Sequence, residues 1–268
     1  RLGGDVDDLP PFFQDTWSDK GGALQEFSNW KNKGKGLRLT IRNSLTSDWD
    51  KYFVEAVNDW DQATALSLET EEGKVDPGCS QVRGIMKVCN DFYGKTGWTG
   101  LNEVYFEGDY IAASVAKMNE SYLNNKGNDE KLYVMCHELG HGFGLPHRDE
   151  NANNPDLGSC LDYTFRYGKN KKPDVEVDFD NLANLYGQIQ TRKLRKRNES
   201  EERGEISGDS SAKTSLPEGD NIISKSRRWH YADGRLLHQS EYSTSYETIL
   251  TDGRFTRVIT TLHHVRGD

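Results

Sequence analysis

Leu37, Leu39 and Ile41 alternate with Arg38, Thr40 and Arg42, the period-two pattern of a strand with one face buried. The period then changes. Trp49, Tyr52, Phe53, Ala56, Val57 and Trp60 recur every three or four residues, which predicts an amphipathic helix with Ser47 placed to cap it and Asp48 and Asp50 in its first turn. Short strand segments follow at 65–69, 84–88, 101–106 and 111–118, separated by Gly, Asp and Asn. A second helix is predicted from about residue 130 to 142 with Asp129 as its N-cap, and a third carries Phe179, Leu182, Leu185 and Tyr186 on one stripe. A helix followed by strands implies a sheet covered on one face by helix.

Outside this span the pattern weakens. Residues 1–36 are rich in Gly, Asp and Lys without a sustained period and read as an irregular N-terminal arm, leaving 37–190 as the compact domain. Residues 191–221 hold Arg, Lys, Glu, Ser and Gly with few large apolar side chains, the composition of a flexible charged linker. Alternation resumes at 235–240, 246–250 and 256–265, with turn residues around Asp233-Gly234 and Asp252-Gly253, so 222–268 is expected to form a small β-meander. A unit of that size is near the lower limit of independent stability.

Charge and length narrow the function. A net charge of -9 over 268 residues argues against a nucleic-acid partner, because phosphate binding is driven by a basic face. The basic run Arg192 to Arg197 fits a solvated linker. No stretch approaches the roughly 18 consecutive apolar residues of a spanning helix, so no membrane partner is expected. Four cysteines and two N-x-S sequons, at Asn119 and Asn198, suit an oxidising secretory compartment. Beginning at Arg1 rather than Met, the chain is expected to have lost any signal peptide or pro-segment.

The segment from Cys136 to Asp149 carries the chemistry, because it reads H-E-x-x-H-x-x-G-x-x-H. Residues four apart on a helix lie one above the other, so His137 and His141 can aim imidazole nitrogens at one zinc ion about 2.0 to 2.1 Å away. Gly142 and Gly144 are expected to break the helix through positive φ, which lets His147 return as the third ligand. Three protein ligands leave a fourth position for water, and zinc lowers the pKa of that water to about 7. Glu138 then stands where a general base is needed, taking the water proton and passing it to the leaving amine.

This segment resembles the metzincin zinc motif, and His141 to Glu150 is similar to secreted metzincin-like peptidases of microbes. That resemblance covers residues 37–190 and implies an α/β (α+β) zincin-like fold, a mixed five-stranded sheet with the active-site helix packed behind it. Metzincins carry a methionine turn beneath the zinc, and Gly158 to Thr164 stands at the matching distance with Leu161 where methionine is usual. Since that methionine is an apolar floor rather than a ligand, a leucine of similar volume leaves the metal site intact. Residues 89–94 and 97–101 are also similar to strand-and-loop signatures of such enzymes. In several metzincin families a tyrosine two residues past the methionine stabilises the oxyanion, and Tyr163 holds that place; a core-edge tyrosine satisfied by backbone is the plainer reading.

Within the implied fold, a Cys136–Cys160 disulfide would tie the active helix to its floor, with Cys79 and Cys89 closing a shorter loop. Four cysteines allow three pairings, and zinc ligation by Cys136 or Cys160 is the alternative. The strand 111–118 precedes the helix as the substrate-binding edge strand does in metzincins, or is an ordinary sheet strand. Asp149, Glu150, Asn151, Asn153, Asn154 and Asp156 offer oxygen donors to a calcium ion, without EF-hand spacing. His230, His238, His263 and His264 show no ligand spacing and are expected to be structural or exposed.

These patterns predict a secreted zinc-dependent endopeptidase acting on peptides or proteins. Two rival readings are a catalytically silent secreted zinc-binding module that binds a protein partner, and a hydrolase of non-peptide amides. Cleavage preference and oligomeric state have no signature in the sequence.

Overall fold

The computed structural model describes residues 28–189, 234–250 and 253–264. Its first half runs β1 (Asn29–Trp30), β2 (Leu37–Asn43), α1 (Asp50–Trp60), β3 (Leu66–Glu72), β4 (Ile85–Asp91), β5 (Trp98–Glu107) and β6 (Tyr110–Asn119). The short α2 (Glu120–Leu123), α3 (Asn128–Gly142) and α4 (Val177–Tyr186) follow, and β7 (Arg235–Gln239), β8 (Ser243–Ile249) and β9 (Arg257–His264) close the chain.

Among the described residues all nine strands belong to one mixed sheet, ordered β3-β2-β4-β6-β5-β9-β8-β7, with β1 beside the start of β6. Strands β1 to β4 pair in parallel with their neighbours, whereas β5 is antiparallel to β6 and each later strand is antiparallel to the one it joins. In β2 the alternation read from sequence is present, Leu37, Leu39 and Ile41 pointing into the core. Strand β5 is buried along its length except at Glu107, as expected of a strand covered on both faces.

Helices α1 and α3 cover one face. Their contact is built from large rings: Trp60 meets Phe143 edge-on at 5.4 Å and donates its indole N–H to the Cys136 carbonyl at 3.1 Å. Ile41, Met86, Met118 and Phe106 supply the sheet side of this core. A smaller cluster lies on the opposite face, where Cys79, Cys89, Tyr105 and Val115 meet Phe255 and Val258 from the C-terminal strands.

Several expectations need correction. Residues 37–190 contribute five strands, β2 to β6, but the C-terminal strands do not form a separate meander: among the described residues β9 adds to the outer side of β5, from Trp98↔His264 to Phe106↔Arg257, and extends the sheet. Strand β6 lies between β4 and β5, so it is not an edge; β5, returning antiparallel through Gly108, is the outer strand of the first five. Ser47 opens a 3-10 turn, Ser47–Trp49, and makes no side-chain cap. Asp129 sits inside α3, whose N-cap is Gly127, and its carboxylate takes Lys171 instead. Asn119 is fully buried and donates to the Gly94 and Trp98 carbonyls, so this sequon cannot receive a glycan in the folded chain. The expected linker at 191–221, Asn198, His230 and most of the N-terminal arm lie outside the described residues.

One turn fixes how the chain leaves α3. Gly144 takes φ +91°, and a Cβ built there would stand 1.7 Å from the Ser28 carbonyl oxygen, whose own N–H donates to the Gly144 carbonyl at 3.1 Å. At Gly108, φ is +61° but nothing lies within 4 Å of an added Cβ. Gly108→Ala should therefore cost about 1 kcal/mol of backbone strain, and Gly144→Ala about 3 kcal/mol or more because a backbone clash is added. Thermal melts should separate the two variants by several degrees; equal melting temperatures would mean that Ser28 does not pack on this turn.

Candidate metal centre

Helix α3 carries His137 and His141 one turn apart, and the chain stops being helical once Gly144 adopts its left-handed conformation. Gly142 does not share that role. It stays helical, and its missing side chain admits Met86, whose Cε would lie 2.6 Å from an added Cβ. After the turn, Leu145 N–H donates to the Gly140 carbonyl at 3.1 Å, and His147 comes back against the helix.

Each imidazole is held by its Nδ1. In His137 that atom meets the Cys160 carbonyl at 2.7 Å, in His141 the Leu145 carbonyl at 2.9 Å, and in His147 the Glu150 carboxylate at 2.8 Å. Those oxygens only accept, so Nδ1 carries the proton in every ring and Nε2 is left as a bare lone pair. The three Nε2 atoms converge, 3.0 Å apart for His137–His141, 2.9 Å for His141–His147 and 3.2 Å for His137–His147. Lone pairs that close repel unless a cation lies among them, and tetrahedral ligands at about 2.0 to 2.1 Å from one ion stand roughly 3.3 Å apart. Burial, reinforced by neighbouring imidazoles, holds His137 and His141 well below the usual histidine range, and burial lowers His147 against the opposing pull of Glu150. Neutral imidazoles are the form that binds metal. Among the described residues this triad is the group of side chains able to hold a metal ion.

Glu138 is fully buried beside the triad, and neither carboxylate oxygen has a hydrogen-bond partner. Burial alone pushes its pKa well above the carboxylate range. Its place is cut by Gly100 of β5, where a Cβ would stand 2.2 Å from Oε1. Next along β5, Asn102 donates to the Glu138 backbone carbonyl at 2.8 Å. Below the rings runs the segment from Gly158 to Thr164: Cys160 accepts from His137, Leu161 packs on Gly140 and is 1% exposed, and Tyr163 brings its hydroxyl to 3.2 Å from His147 Nε2. The disulfide Cys136–Cys160 joins helix to floor and Cys79–Cys89 closes the other loop, so no described cysteine is free to ligate metal.

Of the five sequence-predicted site residues, His137, His141, His147 and Tyr163 meet at one point, while Glu138 follows His137 on α3 with its buried carboxylate against Gly100. Sequence reasoning missed what surrounds them. Glu150 is the partner of His147, and its position three residues on was the available signal; His238 Nε2 and Ser243 Oγ, at 2.6 and 3.3 Å, also bond to it. Burial opposes ionisation of Glu150, but the bonds and charges of His147 and His238 outweigh it and bring its pKa to about 2. His263, expected to be structural or exposed, stacks on Tyr163 with ring centres 5.2 Å apart and lies 4.7 Å from the His137 ring. No spacing in the sequence could show this, because β9 reaches the site through sheet pairing. Of the proposed calcium donors, Asp149 holds Asn154 and Asp156 holds Thr164 and Asn170.

Fold and site together define a mixed α/β protein with a three-histidine group able to hold a metal ion. No protein-family model and no curated protein matches the chain. Among solved structures it is similar to high choriolytic enzyme 1, a hatching enzyme zinc-protease from Oryzias latipes (medaka fish), at 16% identity and TM-score 0.32 over 60% of this chain and 94% of that one. Two structures of myroilysin are similar at 12% and 14% identity, with TM-scores of 0.36 and 0.37, over 67% and 62% of this chain and 97% and 99% of theirs. Likeness this distant says nothing about chemistry, which rests on the side chains themselves.

The floor can be tested at Leu161. Leu161→Met conserves volume and should change stability by less than about 1.5 kcal/mol with metal content unaltered. Leu161→Asp buries a carboxylate against Gly140 and should cost several kcal/mol, about 3 or more, measured by denaturant melts alongside metal analysis. An Asp variant as stable as the parent would show that this turn does not underlie the rings.

Proposed function

We propose that this chain is a zinc-dependent endopeptidase of the metzincin type, with His137, His141 and His147 as zinc ligands and Glu138 as general base. The observation that carries the reading is the convergence of three Nε2 atoms, with a buried carboxylate without a partner on the residue that follows His137. Among the described residues no fourth protein ligand joins the triad, the condition that separates catalytic from structural zinc. A zinc ion held there supplies Lewis acidity, polarising a carbonyl oxygen and lowering the pKa of a water to about 7.

The chain's own groups do the rest. Glu138 accepts a proton as the water oxygen bonds to the peptide carbon, then delivers it to the amide nitrogen as the C–N bond breaks. Tyr163, anchored under the triad, donates its hydroxyl to the carbonyl oxygen as charge develops there; burial holds its pKa well above the usual range, so it stays protonated. Gly100 and Asn102 fix the Glu138 side chain and backbone from β5. Peptides or proteins outside the cell are the proposed substrates. Two disulfides are compatible with that setting, and no helix among the described residues is long and apolar enough to cross a membrane.

One observation favours the second reading, a silent zinc-binding module: His137 and Glu138 have no exposed surface. Turnover separates the two, because a structural zinc site has no use for Glu138. In the peptidase reading Glu138→Ala should keep one zinc per chain and lower kcat/KM at least about 100-fold. The metal-free variant should also melt higher than the metal-free parent, since an unpartnered buried carboxylate is removed. Zinc analysis, calorimetry and cleavage of a quenched peptide library check these together, and unchanged cleavage would remove Glu138 from the reaction.

Tyr163→Phe keeps the ring stack and deletes only the hydroxyl. We expect kcat to fall about 10- to 1,000-fold with KM little changed, measured by initial rates on one cleaved peptide. A parent-like kcat would return Tyr163 to a purely structural part.

A further inference from the structure

Strand β5 passes directly beside the centre, and its outer side is not free. Strand β9 pairs with it antiparallel in the register Gly100↔His263, Leu101↔Leu262, Asn102↔Thr261, Glu103↔Thr260 and Val104↔Ile259. The same β5 residues that position Glu138 therefore have a strand of this chain bonded where an extended peptide would add. His263, opposite Gly100, continues the obstruction inward by stacking on Tyr163. From β7 and the start of β8, His238 and Ser243 close onto Glu150, the partner of His147. Between these strands and His141 lies a cavity of about 260 Å³, lined also by Leu236, His238 and Ile259. With β9 paired along this side of β5, an extended peptide cannot add there while β9 is in place.

We propose that β7 to β9 are an inhibitor built into the chain: β9 occupies the substrate-pairing side of β5, His263 covers the histidine triad, and the site opens when the three strands leave. The proposal rests on the peptidase reading for the identity of the excluded substrate. The interface is made for release. The buried apolar side chains of these strands and their loop are few, Phe255, Val258 and Leu262 with Ile259 partly buried, whereas Ser243, Thr244, Ser245, Glu247, Thr260, Thr261 and His263 are buried polar groups, several of them bonded within the three strands. The core shared by α1, α3 and the sheet is instead built on Trp49, Phe53, Trp60, Phe106 and Phe143. Backbone pairing holds β9 chiefly, and backbone pairing is what a substrate strand can replace. His263 Nδ1 is also buried without a hydrogen-bond partner, a contact that departure of the strand would relieve.

The test uses the full zinc-loaded chain and two variants. Thr260→Pro puts a residue without an N–H into the middle of β9, between β5 and β8, where proline is not accommodated. His238→Ala with Ser243→Ala leaves β9 intact and removes the closure on Glu150. Hydrogen exchange at β5 amides reports displacement, binding of a short peptide hydroxamate reports access to the metal, and a quenched peptide library reports turnover. If the closed form holds all but about 1% of the parent, displacement should raise hydroxamate affinity and kcat/KM by up to roughly 100-fold, and the double variant by a smaller factor of about 3 to 10. Loss of β5 protection with hydroxamate binding unchanged would overturn the proposal, as would global unfolding of Thr260→Pro, which would make the strands part of the obligatory fold. Tighter hydroxamate binding without cleavage would uphold the occlusion and refute the peptidase reading.

Discussion

Three imidazole lone pairs facing one another within 3.2 Å are the constraint on which the rest of this molecule turns. Nothing in a neutral protein interior favours that arrangement, since each Nε2 lacks a donor of its own in the triad and each pair repels. It is imposed from outside by three acceptors on Nδ1, and each acceptor belongs to a different local structure. The Cys160 carbonyl comes from the floor turn, the Leu145 carbonyl from the chain leaving α3, and the Glu150 carboxylate from the loop beyond His147. Disturbing any of these changes where a ring points, and hence whether one ion can meet all three.

Those acceptors depend in turn on packing some distance away. The floor turn is held to α3 by the Cys136–Cys160 disulfide and by Leu161 against Gly140, and α3 is pressed onto the sheet by Trp60 and Phe143. Arg148 fastens the next loop, its N–H donating to the Leu161 carbonyl while its guanidinium reaches Asp174 and Asp178. With Asp178 fully buried and Asp174 partly so, this is a partly desolvated ion network, stronger than an exposed pair and costly to break. Small residues let the elements approach: Gly142 lets in Met86, and Gly100 makes the space that Glu138 fills.

What the sequence revealed and what it concealed divide along chain distance. Helix periodicity and the four-residue spacing of His137 and His141 are local, so the centre was legible from residues 137–147 alone. Strand positions from Leu37 to Asn119 were legible by alternation to within a few residues. Alternation cannot say which strand a strand will join, and so the meander read as a separate unit although β9 continues the sheet beyond β5. For the same reason alternation left β6 open between an edge and an ordinary sheet strand, and His263 was given no part near the centre. Capping was overread as well. Ser47 and Asp129 have the right chemistry, but one begins a 3-10 turn and the other is drawn to Lys171, competition that depends on neighbours distant in sequence.

The meander and the centre also bear on each other energetically. Glu138 is a carboxyl group buried without a partner, and the three Nε2 atoms face one another, which is unfavourable for any protein that only had to fold. A wall of tightly packed apolar side chains over them would have made the burial permanent. The wall that is present reaches the centre through His263, His238, Ser243 and Tyr242, each carrying a polar group that water can also satisfy. Its hold on β5 is a backbone ladder, a bond pattern that every extended peptide carries irrespective of sequence. On the peptidase reading proposed above, a centre with unsatisfied chemistry beneath a cover that another strand can replace is the arrangement of a site closed by competition, and the competitor it would exclude is an extended polypeptide.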